Sequence, residues 1–319
     1  MAIHPSGQTL GVTVILGRVN YAQLLFPDFS LIACGYLLCN YTALNRTMWE
    51  QVESLVYYFL FPVLLFQSIV KSPLDLASAS SFISAGLLLS LAGVAMAYSL
   101  PHLPWLGQHM DTRKHAASAQ VGFRFNSFIG LAVAERLAGS EGLQLIAVLI
   151  GVCVPFMNMA AVWPMARHGQ HGFWRELVRN PLILATASGL VANLLGFTLP
   201  EALAPTLHRI GVSAIVLGLL AAGAGMQLGH LSRAKTLAVS VLTIRHFLMP
   251  LAALGLTLAF GLSAVQTTIL LAFSALPTAS SAYVLAARMG YNGGYVAGLV
   301  TLSTLLGVLS LPFALGMLR

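Results

Sequence analysis

Ten stretches of about 20 predominantly apolar residues follow one another along this chain, each the length an α-helix needs to cross the hydrocarbon core of a bilayer. They lie near 22–41, 52–70, 77–100, 116–137, 143–166, 180–197, 207–228, 237–261, 264–288 and 294–317. Of the 319 residues 58% are hydrophobic and 8% charged, against roughly 25% charged in an ordinary soluble domain. So few charges cannot cover a water-exposed surface. A soluble enzyme, a nucleic-acid binder and a secreted disulfide scaffold are therefore excluded. The sequence predicts an all-α membrane protein with ten transmembrane helices.

The net charge of +7 would suggest nucleic acid in a soluble protein, but here the basic residues sit between the apolar runs, where the positive-inside rule puts them. Nine lie in loops after odd-numbered spans: Arg46, Arg113, Lys114, Arg167, Arg175, Arg179, Arg233, Lys235 and Arg288. Five lie in the termini or the other loops (Arg18, Lys71, Arg136, Arg209, Arg319), while Arg124 and Arg245 fall inside spans. This bias puts the odd loops in the cytoplasm and both termini on the periplasmic or extracellular side of an inner or plasma membrane. Residues 1–20 carry no small-residue cleavage site, so they read as an external tail, with the first span as the targeting signal. Cys34, Cys39 and Cys153 all fall in apolar runs and form neither a disulfide nor a zinc spacing.

Two sets of matches recur at nearly the same offset. Pro27 and Gly35 in the first span reappear as Pro181 and Gly189 in the sixth, 154 residues on. The stretch from Asn126 to Gly139 equals in length that from Pro277 to Gly290, and both close on G-x-x-G (Gly139, Gly142; Gly290, Gly293) at an offset of 151. An offset near half the chain implies a duplication. With five spans per half, the second copy must be inverted in the membrane, a signature of secondary transporters. The expected division is an external tail over 1–20, a first five-helix repeat over 21–166, a cytoplasmic loop over 167–179 and a second, inverted repeat over 180–319.

Transporter sites form where matching helices of the two halves are interrupted. In the ninth span, Pro277 has no N–H and clashes with the carbonyl of Phe273, while Ser274, Thr278, Ser280 and Ser281 supply hydroxyls around the break. A simple proline kink would show the same residues. In the fourth span, Asn126 and Ser127 are favoured helix N-caps and weak interior residues, so a second half-helix can start there. Arg124 lies about nine residues into that span, where a guanidinium costs at least ~2.5 kcal/mol unless it meets a partner or a wet cavity. Two half-helix N-termini and one arginine aimed at a shared point attract an anion.

The run Ser274-Ala275-Leu276-Pro277-Thr278-Ala279-Ser280-Ser281-Ala282-Tyr283-Val284-Leu285-Ala286 resembles the ninth-span signature of the auxin efflux carrier family, which includes bacterial malate and malonate permease-like proteins. Phe61-Pro62-Val63-Leu64-Leu65-Phe66, Arg124-Phe125-Asn126-Ser127-Phe128-Ile129-Gly130, Arg179-Asn180-Pro181-Leu182-Ile183 and Gly223-Ala224-Gly225-Met226-Gln227-Leu228 are similar to that family too. The resemblance covers residues 22–317. It implies two inverted five-helix repeats, a scaffold and a transport domain, and broken fourth and ninth helices that cross at the site for a small organic carboxylate such as malonate, malate or an auxin-like acid. An elevator-type alternating-access mechanism goes with it. The chain departs from the family in the seventh span, where Ala214-Ile215-Val216-Leu217 stands in place of the usual proline, so a straighter helix is expected.

The substrate-binding set expected on these grounds is Arg124, Asn126, Ser127, Pro277, Thr278 and Ser280, with Arg245 and Asp28 as secondary candidates. Arg245, beside His246 in the eighth span, reads either as half of a structural pair or as a second substrate contact. The histidines His102, His109 and His115 fit no compact zinc motif, and no metal or cofactor is expected. The expected partners are a small organic anion and the lipid bilayer, with a homodimer as an option and no nucleic acid. No acidic residue adjoins the breaks in sequence, so the chain reads as a carrier without an obligatory coupling ion, an ion-coupled symporter or antiporter being the alternative. An anion channel would need a continuous polar pore, and an intramembrane enzyme a nucleophile with its base inside the spans.

Overall fold

A computed structural model of the protein describes residues 21–71, 76–104, 106–166, 181–226, 235–279 and 281–318. The expected tail over 1–20, the loop over 167–179 and Ser280 lie outside the described residues. The described chain is helical. Its helices are α1 (Tyr21–Tyr41), α2 (Arg46–Leu55, a π turn Val56–Leu60, then Phe61–Lys71), α3 (Leu76–Ser99), α4 (Thr112–Ser118) and α5 (Ser127–Ala166). They continue with α6 (Pro181–Leu194), α7 (Ala204–Ala224) and α8 (Lys235–Thr243, a π turn Ile244–Leu248, then Met249–Ala259). The last three are α9 (Ala264–Ala275), α10 (Ser281–Arg288) and α11 (Gly293–Gly316).

Helix thus occupies each of the ten expected stretches. Among the described residues, five segments are long and apolar enough to cross a membrane: Ser80–His102, Thr112–Met165, Ala204–Ala224, Lys235–Ala259 and Gly293–Gly316. The second expected span begins earlier than predicted, at Arg46 rather than 52. Asn45 caps it, its side chain accepting the Met48 N–H at 3.2 Å, and the polar first turns hide one buried residue, Trp49. Apolar run length could not find that start, because the cap and one aromatic set it. Helix α7 runs unbroken through Ala214–Leu217, as the missing proline led us to expect.

The helices sort into two packing groups. Helices α1, α2, α6 and α7 pack mainly on one another, and α3, α4, α5, α8, α9, α10 and α11 form the other body. Glycines allow the closest approach in the first group. A Cβ on Gly223 would lie 1.8 Å from the carbonyl oxygen of Ile32, and one on Gly35 1.9 Å from that of Leu220. The α1 and α7 backbones therefore touch through small residues, the usual way apolar helices gain contact where lipid supplies no hydrophobic driving force.

The glycines matched at the 151-residue offset both take positive φ. Gly139 (φ 55°) and Gly290 (φ 78°) are both left-handed, a region open to glycine at no steric cost. At Ala138–Gly139 the backbone leaves helical geometry and divides α5 into two helices. Arg136, expected in a loop, lies on α5 just before that division.

Candidate functional site

The two interruptions expected from sequence are present and in contact. Asp111 caps α4, accepting the N–H groups of Arg113 (2.9 Å) and Lys114 (3.1 Å), and the chain tightens into a 3-10 turn over Ala119–Gly122. The backbone is non-helical from Phe123 to Asn126, and α5 starts at Ser127. The side chain of Asn126 accepts the N–H of Phe128 at 2.9 Å and of Ile129 at 3.3 Å, so it caps the new helix as its residue type predicts. In the second interruption α9 ends at Ala275, Leu276–Ala279 are non-helical and α10 begins at Ser281. The Asn126 N–H donates to the Pro277 carbonyl at 2.8 Å, and the Thr278 hydroxyl donates to the Val121 carbonyl at 2.8 Å.

Arg245 holds these segments from below. It is fully buried on the π turn of α8, with Nε donating to Leu276 O at 2.6 Å, Nη2 to Phe273 O at 2.9 Å and Nη1 to Phe123 O at 3.4 Å. A helix leaves its last carbonyls without intrahelical donors and its C-terminus negative, so a guanidinium suits the end of α9. Of the two readings of Arg245, its geometry is that of a structural residue: its fork is spent on backbone carbonyls and none of it is exposed.

Arg124 lies in the non-helical segment and is partly exposed. Its Nη1 donates to Gln120 Oε1 at 2.8 Å, and its Nη2 to the Ser281 hydroxyl at 2.9 Å, at the start of α10. Gln120 is buried and fixed in turn, with Nε2 donating to Ala117 O at 2.9 Å and Ala282 O at 3.2 Å. The guanidinium therefore spans from one interruption to the N-terminus of the helix after the other. Of the expected set, Arg124 and Ser127 are partly exposed, whereas Asn126, Pro277 and Thr278 are buried and bonded into the junction; Ser280 lies outside the described residues. Sequence reasoning passed over Gln120 and Ser281 as site residues. Ser281 stands inside the quoted motif, and Gln120 precedes Arg124 by one helical turn.

Asp28 is no open acid beside the junction. Its carboxylate accepts Nε and Nη2 of Arg136, both at 2.9 Å. A buried network also lies against the second interruption: His246 meets Ser303 and Ser310 of α11, Ser303 meets Thr278, and Ser310 donates to Ala275 O. A recess of about 280 Å³ between Asp111, Arg113, Lys114 and Tyr291 lies outside this junction.

Among the described residues, membrane-length apolar helices and two interrupted helices joined around an arginine form the architecture of a multi-pass membrane protein. Residues 164–315 match the family model described as membrane transport protein. The chain is 24% identical over 314 residues to a candidate malonate transporter of Rhizobium meliloti, covering 93% of this chain and 95% of that protein. It is 23% identical over 286 residues to an uncharacterized transporter of Methanothermobacter thermautotrophicus, covering 88% of this chain and 93% of that protein. The second half of the chain is thus similar to this family, and both relatives are named as transporters, in line with the resemblance stated above.

Proposed function

We propose that the chain moves a small organic carboxylate across the inner or plasma membrane by an elevator-type alternating-access cycle, with both termini on the outer side. The observation that carries this reading is Arg124, tied to Gln120 on one interruption and to Ser281 at the start of α10. Two helix N-termini, at Ser127 and Ser281, open beside it, and their N–H groups and dipoles favour negative charge. In this reading Arg124, Ser127 and Ser281 face the carboxylate. Asn126, Pro277 and Thr278 shape the crossing that presents them.

The packing groups support the elevator. One draws on the first two and the sixth and seventh expected spans, the other on the remaining six, as two inverted five-helix repeats require. The body of α3–α5 and α8–α11 would carry the site past the scaffold of α1, α2, α6 and α7. The name of the Rhizobium meliloti relative makes malonate the first anion to test.

Malonate counterflow in proteoliposomes tests this function. Wild-type protein should exchange labelled malonate, and Arg124→Lys should lose most of that exchange, because lysine keeps the charge but lacks the planar fork that binds a carboxylate bidentately. Exchange by Arg124→Ala at the wild-type rate would place the site elsewhere.

A further inference from the structure

We propose that His246 is the proton-binding residue of the transport cycle, taking up one proton as an organic anion occupies the neighbouring junction, so that anion and proton cross together. This rests on the anion-transport reading above, and the experiment below separates the two.

The argument is hydrogen-bond accounting. His246 is buried on the π turn of α8, where such turns often mark functional positions. Both ring nitrogens face serine hydroxyls of α11: Nδ1 lies 2.8 Å from Ser310 Oγ and Nε2 lies 2.8 Å from Ser303 Oγ. In the neutral ring with its hydrogen on Nδ1, the donors run head to tail. The Thr278 N–H donates to Ser303 Oγ at 2.9 Å and the Ser303 hydroxyl to Nε2; Nδ1–H donates to Ser310 Oγ, whose hydroxyl reaches Ala275 O at 3.0 Å. A proton added at Nε2 makes that nitrogen a donor. The Ser303 hydroxyl then rotates to Thr278 Oγ1, 3.0 Å away, whose own hydrogen stays on Val121 O. Neither state strands a buried polar group, and one hydroxyl rotation separates them.

The neighbouring charges set the direction of coupling. Arg245 adjoins His246 on the same turn with its guanidinium turned to Phe123, Phe273 and Leu276. Around this turn pack α3, the Ala119–Gly122 turn, the rest of α8, α9 and α11. Their titratable residues are Tyr98 on α3, Lys235 at the start of α8 and Tyr295 on α11, with no carboxylate on any of them. A protonated ring beside Arg245 is thus a second buried cation with no acidic side chain on these elements to offset it. A carboxylate bound at the junction supplies the missing negative charge. By linkage, the proton then raises anion affinity by the same factor as the anion raises proton affinity.

The test uses full-length protein in proteoliposomes with labelled malonate and the membrane potential clamped at zero. Exchange at equal pH on both faces reports the anion-transport reading alone. With a unit pH gradient, acid outside, wild-type protein should accumulate malonate up to about tenfold, since one pH unit is a tenfold difference in proton activity. For His246→Gln the ratio of accumulation with and without the gradient should fall to one. That ratio does not depend on how much variant protein is active, and Ser303→Ala, which leaves the ring in place, should lower it too. Wild-type exchange with no response to the gradient, or a response that survives in His246→Gln, overturns the proposal. If malonate is not exchanged, the anion-transport reading fails for this substrate and NMR of isotope-labelled histidine still decides the proton site. A signal absent from His246→Gln should report the neutral Nδ1–H tautomer in the anion-free protein. A ring that is doubly protonated without a bound anion, or that carries its hydrogen on Nε2, overturns the proposal.

Discussion

The Asp28 carboxylate receives both Nε and Nη2 of Arg136 at 2.9 Å, a bidentate pair that ties α1 to α5 and so bridges the two packing groups. Asp28 is buried and Arg136 partly exposed. Removing the arginine leaves a buried carboxylate without donors, which costs about 1–3 kcal/mol. Arg136→Gln should therefore lower the melting temperature in detergent, and adding Asp28→Asn should restore much of the loss. A double variant no more stable than the single one would show that no buried charge had been stranded.

The α1–α7 contact gives a prediction free of charge effects. A Cβ on Gly223 would lie 1.8 Å from Ile32 O, which is backbone and cannot swing aside. Gly223→Ala should force the helices apart and cost about 1–3 kcal/mol, as overpacking does. Gly255 on α8 has nothing within 4 Å of such an atom, so Gly255→Ala should be neutral or gain up to about 1 kcal/mol from helix propensity. Parallel melts of the two variants check the contrast.

What could be read from sequence was what depends on one stretch of chain. Apolar run length located the helices, Asn126 announced its own cap and Pro277 its own break. What depends on pairing across the chain stayed hidden. Arg245 meets carbonyls 28, 31 and 122 residues away, and His246 its serines at 57 and 64. No spacing rule links such partners. No acid adjoins the breaks in sequence, and the titratable ring that reaches Thr278 does so from another helix and through a serine.

Arg245 should tolerate no conservative exchange. Lysine keeps the charge but presents a single ammonium, which cannot reach Leu276 O, Phe273 O and Phe123 O together. Each carbonyl left without a donor costs about 1–3 kcal/mol, so Arg245→Lys should sharply reduce the yield of monodisperse protein on size-exclusion chromatography. Arg124→Lys, at a partly exposed position, should leave that yield near wild type. Equal profiles for the two lysine variants would contradict the division of labour between the arginines.

Gln120 is the positioning residue that separates orientation from charge. It is buried, accepts from Arg124 through Oε1 and anchors itself on Ala117 O and Ala282 O, so it fixes the guanidinium relative to both interruptions. Gln120→Leu keeps the volume roughly constant and leaves Arg124 charged but swinging from Ser281 alone among these two contacts. The lost preorganisation should appear in the half-saturation for malonate, raised about tenfold, corresponding to ~1.4 kcal/mol. The rate at saturation should change less, because the charge that attracts the anion remains. Gln120→Glu should act differently: a carboxylate there pairs with Arg124 and competes with the substrate anion, so malonate binding should fall further than in the leucine variant. If both variants bind malonate like wild type in calorimetric titrations, Arg124 does not hold the substrate from this position.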